Sequence, residues 1–139
     1  MRPNNYLFEY IRSAGLSPTR QRIALAKLLF QGENRHVTAE KLYNEAMSEK
    51  LKISLATVYN TLNQFTKAGL LREITVDATR SYFDTNTSKH DHFYFEKDGK
   101  LGDIPEGVIS LGRLPEAPNG TKIKSVDVLV TLTDSDNDY

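Results

Sequence analysis

The stretch "SLATVYNTLNQFTKAGLLREITV", residues 54–76, contains the feature that most constrains the fold: a change of hydrophobic period at Gly69. Before it, apolar residues recur at three- and four-residue spacing, as on one face of a helix. After it, short runs rich in β-branched and aromatic residues alternate with polar ones, the signature of half-buried strands. A chain that is helical up to one point and extended beyond it predicts an α+β fold rather than an interleaved α/β one.

The helical half is punctuated by its own caps. "LSPTRQRIALAKLLFQG" predicts a helix capped by Ser17, with Pro18 at the first helical position, an inner stripe of Ile23, Ala26, Leu29 and Phe30, and Gly32 as its stop. "VTAEKLYNEAMSEK" predicts a second, capped by Thr38, with Glu40 in the first turn where it suits the helix dipole and Leu42, Tyr43 and Ala46 facing inward. Ser54 caps a third, ended by Gly69, and "MRPNNYLFEYIRSAG" predicts another through Leu7, Tyr10, Ile11 and Ala14.

Beyond Gly69, "LLREITV" and "RSYFD" read as a hairpin closed by "DAT", and "HDHFYFE" and "KLGDI" as a second hairpin closed by "KDG". Residues 105–120 hold too many Gly and Pro for a long helix, "IKSVDVLVTL" alternates as a half-buried strand, and the tail "TDSDNDY" is expected to fray.

Composition narrows the function. With 139 residues the chain suits one domain or two small ones. Cysteine is absent, which removes disulfides, thiolate metal sites and cysteine nucleophiles. The apolar runs are too short to span a bilayer, and the first residues lack the h-region of a secretory signal, so a cytoplasmic protein with no membrane association is expected. Residues 1–85 carry 12 Lys+Arg against 8 Asp+Glu, and residues 86–139 carry 6 against 10. A net +4 on the first part and −4 on the second point to different partners for each.

Three helices followed by a hairpin have the layout of a winged helix-turn-helix. At about 100° per residue, Leu55, Val58, Leu62 and Phe65 would anchor the third helix. Ala56, Thr57, Asn60, Asn63 and Gln64 would face outward, with Tyr59 on the flank. That outer face carries no acid, and its Asn, Gln and Thr side chains suit adenine edges and thymine methyls. The plainer alternative is an amphipathic surface helix with a polar exterior. Two of the chain's three histidines form "HDH", which as a strand puts His90 and His92 on one face and Asp91 on the other. Such a pair serves either a metal ion or merely the edge of a hairpin.

"GLSPTRQRIALAKLLF", "HVTAEKLYNEA", "SLATVYNTLNQFTKAGLLREI" and "HDHFYFEKDGKLGDIP" together resemble the ferric uptake regulator superfamily in order and spacing, over nearly the whole chain. With Asn60 where most members have arginine, and with its ending, the sequence is most similar to the rhizobial-type iron response regulators. The resemblance implies an N-terminal winged helix over residues 1–85 and a small α/β dimerisation and metal-sensing domain over 86–139. It implies a homodimer on a palindromic double-stranded DNA operator, usually acting as a repressor. The DNA-binding set it implies is Arg20, Arg22, Ser54, Thr57, Tyr59, Asn60 and Asn63, with the two arginines near phosphates or the minor groove. Matched residue by residue, the regulatory metal site would be His36, Asp84, His90, His92 and Asp103. All three histidines are used. The set suits one divalent ion per subunit: Fe²⁺, Mn²⁺ or Zn²⁺.

The departures are informative. The structural zinc that many relatives hold with two C-x-x-C pairs has no ligands here: Phe95 and Asp98 replace the first pair and the second is missing. Lys89 and Val126 stand where a second metal site needs histidines. The resemblance implies regulation of iron or haem homeostasis. Haem, a possible cofactor in that branch, would lack its histidine run and Cys-Pro motif here, since the chain reads "KHDH". Aspartate at 84 and 103 also matches the peroxide-sensing branch, in which Fe²⁺ and H₂O₂ oxidise a ligand histidine and DNA is released. A hydrolytic metal enzyme is the competing class, but no nucleophile motif or separate base accompanies the donors, and the helix-turn-helix would have no role.

Overall fold

The computed structural model describes residues 4–135. Backbone contacts divide the chain into two compact units, Met1–Thr87 and Ser88–Tyr139. The division falls two residues beyond the 85/86 boundary drawn from the sequence. Local hydrogen bonds explain it: Thr85 N–H donates to Arg35 O at 3.0 Å, and Asn86 N–H to Asp84 Oδ1 at 2.9 Å, which hold both residues to the first unit.

The first unit runs α1 (Asn4–Ser13), α2 (Arg20–Phe30), β1 (His36–Val37), α3 (Ala39–Ser48), α4 (Leu55–Lys67), β2 (Arg72–Asp77) and β3 (Arg80–Asp84). Thr38 and Ser54 cap α3 and α4 as expected, each side chain accepting the N–H three residues on. The cap of α2 is Thr19, not Ser17: Thr19 Oγ1 accepts from Arg22 N at 3.3 Å. Pro18 therefore lies before the helix rather than inside it. Helix α4 closes at Gly69, whose φ of +84° lets Leu70 N–H return to Phe65 O at 2.9 Å.

One cluster fills the unit, with Leu7, Ile11, Leu25, Leu29, Leu42, Val58, Leu62 and Phe65 fully buried. Each contributes about 1.5–3 kcal/mol relative to exposure. Two expected inner-face residues shift. Leu55 is 37% exposed, whereas Thr61, which the expected stripe leaves out, is buried beside Leu62. In α2 Leu25, outside the expected stripe, is fully buried along with Ala26 and Leu29, while Ile23 is only half-buried. A helix packed on two sides buries a wider arc than the single stripe that period alone draws.

The sheet of this unit is antiparallel with order β1-β3-β2. The hairpin β2–β3 was expected, but β1 was not. Its two residues pair with the end of β3, setting His36 opposite Asp84 and Val37 opposite Phe83.

The second unit contains β4 (Asp91–Phe95), β5 (Lys100–Ile104) and β6 (Leu129–Leu132) in the order β5-β4-β6, with β4 and β6 parallel. Its described elements are all strands, so the helices of this α+β chain lie in the first unit, where an α/β arrangement was expected in the second. Residues 105–128 contain no described helix or strand. The strand expected over "IKSVDVLVTL" is thus confined to its last four residues. The cause is the partner: β4 offers a ladder only from His92, opposite Leu129, to Phe95, opposite Leu132. Just before it the ladder gives out: Val128 O still accepts from His92 N–H at 3.3 Å, but Val128 N–H donates to Asp91 Oδ1 at 3.1 Å and Val126 O accepts from Lys89 Nζ. Residues 136–139, most of the tail expected to fray, lie outside the described residues. None of the described helices is long and apolar enough to cross a membrane.

Candidate metal donors and nucleic-acid face

In the first unit, strand pairing alone delivers one donor pair. Arg35 N–H donates to Thr85 Oγ1 at 2.9 Å and its guanidinium grips Glu45 through two bonds of 2.9 and 2.6 Å. This fastens β1 against β3 on one side and α3 on the other. The next residue, His36, then brings Nε2 within 3.1 Å of Asp84 Oδ2. Asp84 is 1% exposed, and a carboxylate so buried is costly unless positive charge or donors meet it. Asn86 N–H meets Oδ1. The imidazole meets Oδ2, as a protonated partner or as a fellow ligand to a cation.

In the second unit, β4 places His90 and His92 on one face, ring centroids 4.4 Å apart and both buried, while Asp91 turns to the opposite side. The β4–β5 register sets His92 opposite Asp103. Asp103 Oδ1 lies 3.0 Å from His90 Nε2 and 3.5 Å from His92 Nε2. His90 Nδ1 sits 2.7 Å from Ser88 O, an acceptor only, so Nδ1 carries a proton. In the neutral ring Nε2 then presents a lone pair towards the lone pairs of Asp103. Two such centres at 3.0 Å repel unless a proton or a cation lies between them. A backbone carbonyl orienting one ring nitrogen and freeing the other is the arrangement that metal-binding histidines use. The donors therefore fit a divalent first-row ion, and nitrogen with oxygen and no thiolate suits Fe²⁺, Mn²⁺ or Zn²⁺.

The residues expected to form a nucleic-acid face belong to the first unit. Tyr59, Asn60, Asn63 and Gln64 are exposed along α4 and Thr57 is half-buried. Ser54 spends its hydroxyl on the helix, accepting from Thr57 N at 3.1 Å and donating to Thr57 Oγ1 at 3.0 Å. Arg22 is brought to the helix: it donates to Ser17 O at 2.9 Å and to Gln64 Oε1 at 3.0 Å, so its guanidinium is already oriented beside Thr57 and Asn60. Arg20 is not. It lines a different concavity with Ile23, Lys27 and Leu28.

Gln64 and Glu40 belong to this face but not to the DNA-binding set that the resemblance implies. Gln64 has the right period and was visible on the outer arc. Glu40 reaches α4 only through the fold, its carboxylate accepting from Tyr59 Oη.

Residues 13–131 match the sequence profile of the ferric uptake regulator family.

The chain belongs to the ferric uptake regulator family.

Members of this family are transcription regulators rather than enzymes, which retires the hydrolytic reading of the donors. A 95-residue stretch, 68% of this chain and 62% of the other protein, is 40% identical to the peroxide-responsive repressor PerR of Staphylococcus epidermidis. The chain therefore spans less than two thirds of that relative's length. Among solved structures it is similar to the ferric uptake regulator of Vibrio cholerae, with a TM-score of 0.72 and 26% identity over 91% of this chain and 98% of that one. It also shares its fold with the manganese-containing ferric uptake regulator of Pseudomonas aeruginosa, with a TM-score of 0.68 and 23% identity over 93% and 98% of the two chains. These likenesses support the α+β fold, with a DNA-binding domain followed by a dimerisation domain. Membership of the specifically rhizobial branch is not among the relationships they establish.

Proposed function

We propose that this member of the ferric uptake regulator family is a metal-dependent, DNA-binding transcription regulator. It acts as a homodimer on a palindromic operator, as a repressor of iron or haem homeostasis genes. The observation that carries the reading is the partition of the donors. His36 and Asp84 belong to the unit that bears α4, whereas His90, His92 and Asp103 belong to the other. Only six positions separate Asp84 from His90 in the chain. Were Fe²⁺ or Mn²⁺ bound, His36, Asp84, His90, His92 and Asp103 would be the residues to hold it, and its positive charge would offset the two carboxylates. Without it, Asp84 and Asp103 each rely on an imidazole. The residues of the chain do the rest: Arg22 meets phosphate, while Thr57, Tyr59, Asn60 and Asn63 read base edges.

Peroxide sensing is the second reading, favoured by the similarity to the staphylococcal repressor and by aspartate rather than glutamate at 84 and 103. With no cysteine, the dimer rests on packing, and no structural zinc is needed to hold it.

Fluorescence anisotropy of purified protein on fragments selected from a random DNA pool tests the reading. Operator affinity is expected to rise at least tenfold, about 1.4 kcal/mol, when Mn²⁺ is added to metal-free protein. DNA affinity unaffected by metal would overturn it. Release by H₂O₂ from the Fe²⁺-loaded but not the Mn²⁺-loaded protein selects the peroxide reading. Release by haem, or by removal of iron, selects the first.

A further inference from the structure

Helix α4 meets the start of α3 through one short hydrogen bond. Tyr59 Oη donates to Glu40 Oε1 at 2.5 Å. Glu40 is the second residue of α3, where the helix dipole favours a carboxylate. Tyr59 is 40% exposed and lies on the flank of the face that the DNA-binding reading assigns to base contacts. Between α4 and the β2–β3 hairpin lies a groove of about 470 Å³, lined by Glu40, Tyr59, Asn63, Thr79 and Arg80 among others. A negative charge therefore stands in a surface that would approach polyanionic DNA, and nothing in the proposed metal chemistry uses it.

A phenol already donating to a carboxylate has no proton left for a phosphate oxygen. What it presents to a ligand is the ring. The tether also fixes which way the ring points, since the bond anchors its far end. The charge of Glu40 meanwhile opposes any phosphate that settles into the groove in a wrong register, an instance of specificity gained by repulsion.

We propose that Glu40 is a positioning residue for DNA recognition: it anchors Tyr59 by its hydroxyl so that the ring meets an apolar base edge such as a thymine methyl, and its charge disfavours non-specific phosphate contact. The proposal rests on the DNA-binding reading and deepens it. The same bond pushes the Tyr59 phenol above its ordinary value of 10.0, chiefly through the hydrogen bond to Glu40, with smaller contributions from burial and the carboxylate charge.

The test compares Glu40→Gln, Glu40→Ala, Tyr59→Phe and the double variant Glu40→Ala/Tyr59→Phe on operator and scrambled DNA. Thermal melts check that each dimer folds. Glu40→Ala is expected to lower the operator-to-scrambled affinity ratio about tenfold, the scale of one lost base contact. In the Tyr59→Phe background the same change is expected to lower the ratio only about threefold, the share that the charge contributes by itself, because the anchoring share is already lost. Glu40→Gln, which keeps an acceptor and loses the charge, is expected to retain most operator affinity and bind scrambled DNA about threefold tighter. Site-resolved NMR of ¹³C-tyrosine should show the Tyr59 phenol titrating lower in Glu40→Ala than in wild type. Wild-type protein that binds neither DNA would sink both the regulator reading and this one. Wild type that binds the operator, with the Glu40→Ala loss undiminished in the Tyr59→Phe background or absent altogether, would sink only the role of Glu40.

Discussion

Replacing His92 by alanine probes the donor set at its most enclosed point. The side chain is 2% exposed, with Nε2 3.5 Å from Asp103 Oδ1 and its ring 4.4 Å from that of His90. Two effects follow, and they separate. First, an enclosed imidazole is truncated, which costs the metal-free unit about 1–3 kcal/mol of stability through lost packing. Second, one neutral nitrogen donor of the proposed five is gone, while both carboxylates remain. Mn²⁺ affinity should fall at least tenfold, about 1.4 kcal/mol, and metal-dependent operator binding should weaken in step. Metal-free wild type and variant should bind DNA alike, because α4 and its caps lie elsewhere in the chain. Anaerobic titration calorimetry with Mn²⁺ measures the first quantity, and anisotropy on operator DNA with and without metal measures the second. His92→Gln, which restores volume and a polar end, separates packing from ligation: it should recover melting temperature but not metal affinity. Unchanged Mn²⁺ affinity in His92→Ala would remove the histidine pair from the site. Collapsed metal affinity with operator binding intact would leave the site real and the coupling wrong.

Phe65→Ala, at the centre of the first unit with its ring 6.0 Å from Phe30, should lose about 3–5 kcal/mol in urea unfolding; a loss below about 1 kcal/mol would mean that α4 is not anchored as described. At the tip of β2–β3, the Thr79 N–H and then the Arg80 guanidinium pull the Asp77 carboxyl down from 3.8 to about 2. A depressed folded value means that the turn is favoured above pH 3.8 and that this contribution fades as pH falls towards about 2. NMR should therefore show the Thr79 amide losing protection across that window, and Asp77→Asn should abolish the dependence. A turn that opens at the same pH in Asp77→Asn would refute it.

Much of the molecule is legible locally. Thr38 and Ser54 cap their helices because each bond reaches only three residues along the chain, and Gly69 ends α4 because its own φ permits it. His90 and His92 share a face because a strand has a period of two, whatever surrounds it. The hairpins at 72–84 and 91–104 likewise follow from alternation interrupted by turn residues. The grouping of the five donors stays a proposal that the resemblance to the regulator family suggests, since no local rule contains it.

Other features depend on partners distant in sequence. Two residues cannot show a period, so β1 is invisible until β3 pairs with it and turns His36 towards Asp84. The alternation of residues 123–132 speaks for a longer strand than exists, because only the last four of them pair with β4. Period alone assigns Leu55 to the core, but the packing of α4 buries Thr61 and leaves Leu55 37% exposed. The bond from Tyr59 to Glu40 joins residues 19 apart on two helices. Sequence determines which way a side chain leaves its own helix or strand, since that depends on bonds to near neighbours. What it then meets depends on how those elements pack, and only the tertiary structure decides it.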